Sequence, residues 1–276
     1  MGLIRTPTYG KDMGEVKTIN ETDFIWFDEE PKGITHAVLY DAVGADHIPA
    51  VVGASLVADK EPIGYMTSKH IHSSPHTFLD VGFTGWPIYR HGRTLIVEVL
   101  TPAHISKDIS QQKNAWLFNY PPARDVAKMI AELGPQQFFV LTSGAFDEML
   151  GDAHEVPVLI ASSEIGEKET MSSLQPLWGW LPAFMYGVES DCEAYVFVIP
   201  PHGPRQEPLA YEESHIRESI RILKEWRFDT KGALTRSKKI YNEASKEASK
   251  AAKHANEVIA RMKVEEKKGG MGGMFQ

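Results

Sequence analysis

Residues 123–144 read ARDVAKMIAELGPQQFFVLTSG, and two periodicities stand side by side in them. From Ala123 to Leu133 the apolar residues recur with the spacing of one helix face. The run Phe138-Phe139-Val140-Leu141 is apolar at every position, so it suits a strand covered by helices on both sides. Similar short runs, rich in β-branched and aromatic residues, occur at Phe24-Ile25-Trp26-Phe27, Ala37-Val38-Leu39-Tyr40, Leu95-Ile96-Val97-Glu98-Val99, Val158-Leu159-Ile160 and Tyr195-Val196-Phe197-Val198-Ile199. Segments with helical spacing lie between several of them, at Pro49 to Asp59, Leu177 to Val188 and Glu212 to Trp226. This alternation predicts an α/β body over residues 1–228, a three-layer sandwich with a central, largely parallel or mixed sheet.

After Phe228 the character changes. From Thr230 to about Lys268 there is no proline, Gly232 is the one glycine, and good helix formers dominate. The pattern predicts one long helix within 229–268, roughly 55 Å if unbroken. Leu234, Tyr241, Ala248, Ala255 and Met262 repeat every seven residues, and Ser237, Ala244, Ala251 and Val258 fill the positions three further along. That is a heptad seam, made small by alanine, and it suits close packing on another helix of the same or a second chain. Residues 269–276 follow as Gly269-Gly270-Met271-Gly272-Gly273 and then Met274-Phe275-Gln276. Four glycines in five residues make a flexible leash. An apolar pair carried on such a leash beside a carboxylate suits capture by a partner, and a frayed end is the alternative.

Composition narrows the function classes. The chain has 276 residues, 42% hydrophobic and 24% charged, with no apolar run long enough to span a bilayer and no signal-like core in its first twenty residues. A single cysteine, Cys192, excludes an internal disulfide, and a cytoplasmic location is expected. From Lys231 to Gln276 there are 11 Lys and Arg against 5 Glu, a net of +6, which leaves the body with 18 basic against 32 acidic residues, or −14. An acidic body repels phosphate backbones, and the basic tail lacks interleaved aromatic residues, so neither nucleic acid nor a membrane is an expected partner.

Catalytic motifs are scarce. There is no G-x-x-x-x-G-K-[ST] loop, no G-x-G-x-x-G and no G-x-S-x-G elbow. The enzymatic alternative rests on Lys69-His70-Ile71-His72-Ser73-Ser74-Pro75-His76. In an extended segment His70 and His72 point the same way, and His76 folding back would complete a three-nitrogen zinc site with Asp80 in reserve. A metal-dependent or nucleoside-processing enzyme would use that cluster. The leading expectation is no enzyme, no metal and no cofactor.

In order and spacing the elements resemble the proteasome assembly chaperone 2 family. The resemblance runs from about Phe24 to Ile240 through Ala37-Val38-Leu39-Tyr40, Val52-Gly53-Ala54, Ile63 to Ser68, Ala127 to Leu133, Leu141-Thr142-Ser143-Gly144 and Phe197-Val198-Ile199-Pro200 followed by two helices. Where that family usually has a Gly-Phe-Pro-Gly-like turn, this chain reads Asp41-Ala42-Val43-Gly44-Ala45-Asp46-His47-Ile48-Pro49. The resemblance implies a fold like that of nucleoside phosphorylases, a homo-oligomer, and a proteasome core particle or its α subunits as partner. It also implies a role for the tail, because Met274-Phe275-Gln276 looks like a hydrophobic-tyrosine-X docking motif with phenylalanine for tyrosine.

Overall fold

The computed structural model describes residues 14–41, 48–68, 85–99, 115–143, 157–163, 181–190, 192–199, 208–243, 246 and 250. Among them nine strands form one sheet: β1 (Val16–Ile19), β2 (Thr22–Trp26), β3 (His36–Asp41), β4 (Gly64–Ser68), β5 (Trp86–His91), β6 (Thr94–Val99), β7 (Gln137–Ser143), β8 (Val158–Ala161) and β9 (Ala194–Ile199). The helices are α1 (Ile48–Val57), α2 (Ala115–Leu133), α3 (Leu181–Glu189), α4 (Pro208–Glu225) and α5 (233–243). Strand order across the sheet is β1-β2-β4-β5-β6-β3-β7-β9-β8.

The sheet is mixed. Strands β6, β3, β7 and β9 pair in parallel, as doubly covered strands should, while β1, β2, β4 and β5 form an antiparallel flank and β8 an antiparallel edge. Register is set by the two-residue period of the pleat. Val38 lies opposite both Ile96 and Phe139, and these three face one helical layer. Their neighbours Ala37, Leu95 and Phe138 face the other. One layer is α2 with α3; its cluster includes Val126, Ile130, Met185 and Tyr186. The second is α1, α4 and α5, with Val52, Leu56, Ile220, Leu223 and Ala233. Each fully buried large side chain contributes about 1.5–3 kcal/mol, so the two faces of the parallel strands supply most of the driving force.

Several elements differ from the sequence expectation. Strand β5 contains Pro87, which lacks a ladder donor and reads as a turn, yet Pro87 pairs opposite Tyr65 near the start of the strand. Trp86 and Pro87 are therefore buried sheet residues. Helix α2 begins at Ala115, ahead of Ala123, and runs through Pro121 and Pro122, where the missing amide and the restricted preceding residue signal a boundary. The β1–β2 hairpin turns at Asn20, which has a positive φ of 52°. Its amide and the Thr22 hydroxyl each donate to the fully buried carboxylate of Asp125 on α2, both at 2.7 Å, and Arg124 pairs with the same group at 2.9 Å. A buried charge held this way does not incur the full desolvation cost, and it locks the hairpin to α2.

Helix α1 is buried nearly all round and approaches the sheet closely at Gly53. A Cβ there would stand 2.1 Å from Cγ of the Tyr40 ring, so glycine is required for close approach. Gly53→Ala must push the helix off the sheet or displace Tyr40. The expected loss is about 1–3 kcal/mol, an overpacking cost read by chemical denaturation.

Candidate functional site

The root of the C-terminal helix joins β3, β5, β7, β9, α1 and α4 at one place. Helix α4 stops in a Schellman arrangement: Phe228 N–H donates to Leu223 O and Arg227 N–H to Lys224 O, both at 3.0 Å, with Arg227 at φ 66°. Glycine usually occupies that left-handed position, so the stop carries little signal in sequence. The motif drives Phe228 inward, where its ring meets Phe139 at 4.8 Å and His36 at 4.7 Å. Trp226 and Tyr195 complete the group: Trp226 lies 5.4 Å from Phe139 and 4.8 Å from Tyr195. His36, at the start of β3, is held below the usual imidazole range, first by burial and then by Arg93 and Arg227. Hydrogen bonding to the Trp226 backbone and to Gln137 opposes this.

The chain then turns through 229–232. Asp229 accepts a hydrogen bond from Lys231 N–H at 3.1 Å and pairs with His91 Nε2 at 3.1 Å. Gly232 follows at φ 73°, and its carbonyl accepts from Arg236 N–H at 3.1 Å, opening α5. Ala233 and Ser237 on α5 are fully buried, and Leu234, Ile240 and Tyr241 pack beside them against the second core cluster. Leu234 and Tyr241 of the heptad seam thus touch their own body. The remaining seam residues Ala244, Ala248, Ala251, Ala255, Val258 and Met262 lie outside the described residues, as do Met274, Phe275 and Gln276 and the cluster His70, His72, His76 and Asp80. Lys246 and Lys250 are helical and exposed. No group of three or more metal-binding side chains occurs among the described residues.

Two further polar sites lie on the body. Opposite one another on β3 and β6 are Tyr40 and Glu98, and the Tyr89 hydroxyl on β5 donates to Glu98 Oε2 at 2.9 Å. Burial raises the Glu98 carboxyl above its ordinary value near 4.5, outweighing the hydrogen bond from Tyr89. At the end of α3, a cavity of about 340 Å³ is bordered by Ser162, Phe184, Val188, Cys192 and Glu193. Its floor is braced by Ser162, whose hydroxyl donates to Glu193 at 3.1 Å and accepts from Ala194 N–H at 3.3 Å.

No family model and no curated protein matches this chain. Solved structures do. Pyrococcus furiosus PbaA, an archaeal homolog of proteasome-assembly chaperone, is 15% identical over 91% of this chain and 99% of its own, at a TM-score of 0.46. A Mycobacterium tuberculosis protein of unknown function, Rv2714, is 13% identical over 92% of this chain and 94% of its own, at 0.47. Pyrococcus furiosus PbaB, an archaeal proteasome activator, is 9% identical over 87% of this chain and 99% of its own, at 0.43. Structural neighbours of this chain thus include homologues of a proteasome-assembly chaperone. At these identities and scores the likeness is one of general chain path. Among the described residues no helix is long and apolar enough to cross a membrane.

Glu98 provides a direct pH test. Its folded-state pKa is raised, so between about 4.5 and that higher value the native state binds more protons than the unfolded chain, and stability falls as pH rises. Glu98→Gln keeps an acceptor for Tyr89 without the charge. It should unfold at a higher temperature than the parent chain at pH 7, with the gap closing as pH falls to about 4; thermal melts across that range read the difference.

Proposed function

We propose that the chain is a non-catalytic, proteasome-interacting chaperone or adaptor that works as an oligomer and docks through its C-terminal tails. The observation that carries the proposal is the order of the sequence after the body: a basic segment of helix-favouring residues, the glycine-rich stretch and then Met274-Phe275-Gln276. The resemblance of the sequence elements from Phe24 to Ile240 to the proteasome assembly chaperone 2 family supports the same reading. The slight structural likenesses are not needed for it.

The chemistry of docking follows from the residues. Glycine-rich sequence favours a tail able to search, and Phe275 brings an aromatic ring able to fill an apolar pocket. Charge separation helps, because the −14 body and the +6 tail segment present opposite fields to a partner. Relative to tyrosine, Phe275 lacks a hydroxyl and its hydrogen bond, about 0.5–1.5 kcal/mol net. Several tails on one oligomer offset that through effective concentration.

Removing Met274-Phe275-Gln276 is expected to abolish co-sedimentation with proteasome core particles, and unchanged co-sedimentation would exclude the tail from the mechanism. Phe275→Tyr should tighten binding by about 0.5–1.5 kcal/mol if the pocket offers a partner for the hydroxyl. Calorimetric titration of the two chains against core particles measures the difference, and equal affinities would mean apolar filling alone.

A further inference from the structure

We infer that residues 229–241 form a rigid mount that sets the direction in which the C-terminal helix leaves the body, with Arg236 as its positioning residue. The mount stands on its own geometry; its consequence for partner capture rests on the docking function proposed above.

Arg236 joins three parts of the chain with one guanidinium. Its Nε–H donates to Ser55 O at 2.6 Å and its Nη2 to Lys231 O at 3.0 Å, while Nη1 lies 4.0 Å from Asp59 Oδ2. Ser55 is in the last turn of α1, where carbonyls have no donor within their own helix. Arg236 therefore caps α1 from outside and holds the loop that opens α5. A planar fork of fixed donors does this; the point charge of lysine does not. Gly232 makes room for it, since a Cβ at that position would stand 2.7 Å from Arg236 Nη1. On the next residue but one, Lys238 Nζ pairs with Glu213 Oε1 of α4 at 2.6 Å. Asp229 pairs with His91 at the end of β5. Buried Ala233 and Ser237 form the contact stripe between these ties. Attachments to α1, α4 and the sheet oppose tilting, rolling and sliding of α5 together.

Magnitudes show why direction matters. A leash of five residues spreads its end over roughly 12 Å. A swing of about 30° at the root of a rod of roughly 55 Å, the length its sequence predicts, moves the far end by roughly 28 Å. Without the mount, motion at the root exceeds the reach of the leash, and several tails no longer meet several pockets at once.

The test uses the full chain with nitroxide labels on Cys192, which is exposed and is its single cysteine, and on Lys250→Cys, an exposed helical position. Double electron–electron resonance is recorded after dilution with unlabelled chain, and circular dichroism checks the body. A narrow distance distribution is expected, broadened by Arg236→Ala and less so by Arg236→Lys or Lys238→Ala. A distribution that is broad in the parent chain, or equally narrow in all variants, overturns the mount. In a second arm, Arg236→Ala should weaken binding to proteasome core particles about 10²-fold through lost multivalency, while a free peptide ending in Met274-Phe275-Gln276 is unaffected as a ligand. Undiminished binding by Arg236→Ala would remove the mount from partner capture. Failure of both peptide and parent chain to bind would sink the docking function, and the distance distributions would still decide the mount.

Discussion

Phe139 is the point at which the sheet and the stop of α4 are joined. It lies on β7, fully buried, and its ring meets Tyr195, Phe197, Trp226 and Phe228 at centroid separations of 4.8–6.3 Å. Tyr195 and Phe197 belong to β9, whereas Trp226 and Phe228 come from the stop of α4. Tilted and edge-on rings of this kind add about 0.5–1.5 kcal/mol per pair beyond the area they bury. Sheet and C-terminal turn are consequently one packed unit. The position of α5 follows from the interior of the sheet, with surface ion pairs adding orientation to a place that apolar packing has already chosen.

Polar contacts divide into two kinds. Several buried or half-buried ones join elements far apart in the chain: Asp125 of α2 with Asn20 and Thr22, and Arg236 with Ser55 O. Loss of one partner there leaves a group out of water, which costs more than the bond was worth. The exposed pairs along α4, Arg217 with Glu213 and Arg221 with Glu218 and Glu225, are local helical pairs. Solvent screens them, so they add little to stability. Lys238 with Glu213 is equally exposed, and its importance is geometric, because it bridges two helices.

Legibility in the sequence tracked how locally each feature is specified. The strands at Ala37, Leu95, Phe138 and Tyr195 were readable because burial on both faces leaves a run of consecutive apolar residues. Strands β1 and β4 were not singled out, since β1 is buried only at Ile19 and β4 carries Gly64, Thr67 and Ser68 rather than an apolar run, and β5 was hidden by Pro87. The stop of α4 was approximate because Arg227 holds the position where glycine would have marked it. Of the residues read as functional, Leu234, Ser237 and Tyr241 fall within the described structure. Arg236, Asp229 and His91 at the root had no signal: their partners lie in other elements, and no motif spacing connects Arg236 to Ser55.

From its own sequence this chain determined an α/β body, the doubly apolar strands at its centre, the switch to a basic helix near 229, and an acidic body set against a basic tail. These are properties of neighbouring residues and of composition, so local periodicity and counting reveal them. Tertiary structure alone decided the antiparallel flank, the placement of Gly53 on the Tyr40 ring, the raised carboxyl of Glu98 and the seating of α5 by Arg236. Each depends on groups distant in sequence, among them Arg236 and Ser55, being brought within a few ångströms, and contact of that kind exists only once the two core clusters have closed on either side of the sheet.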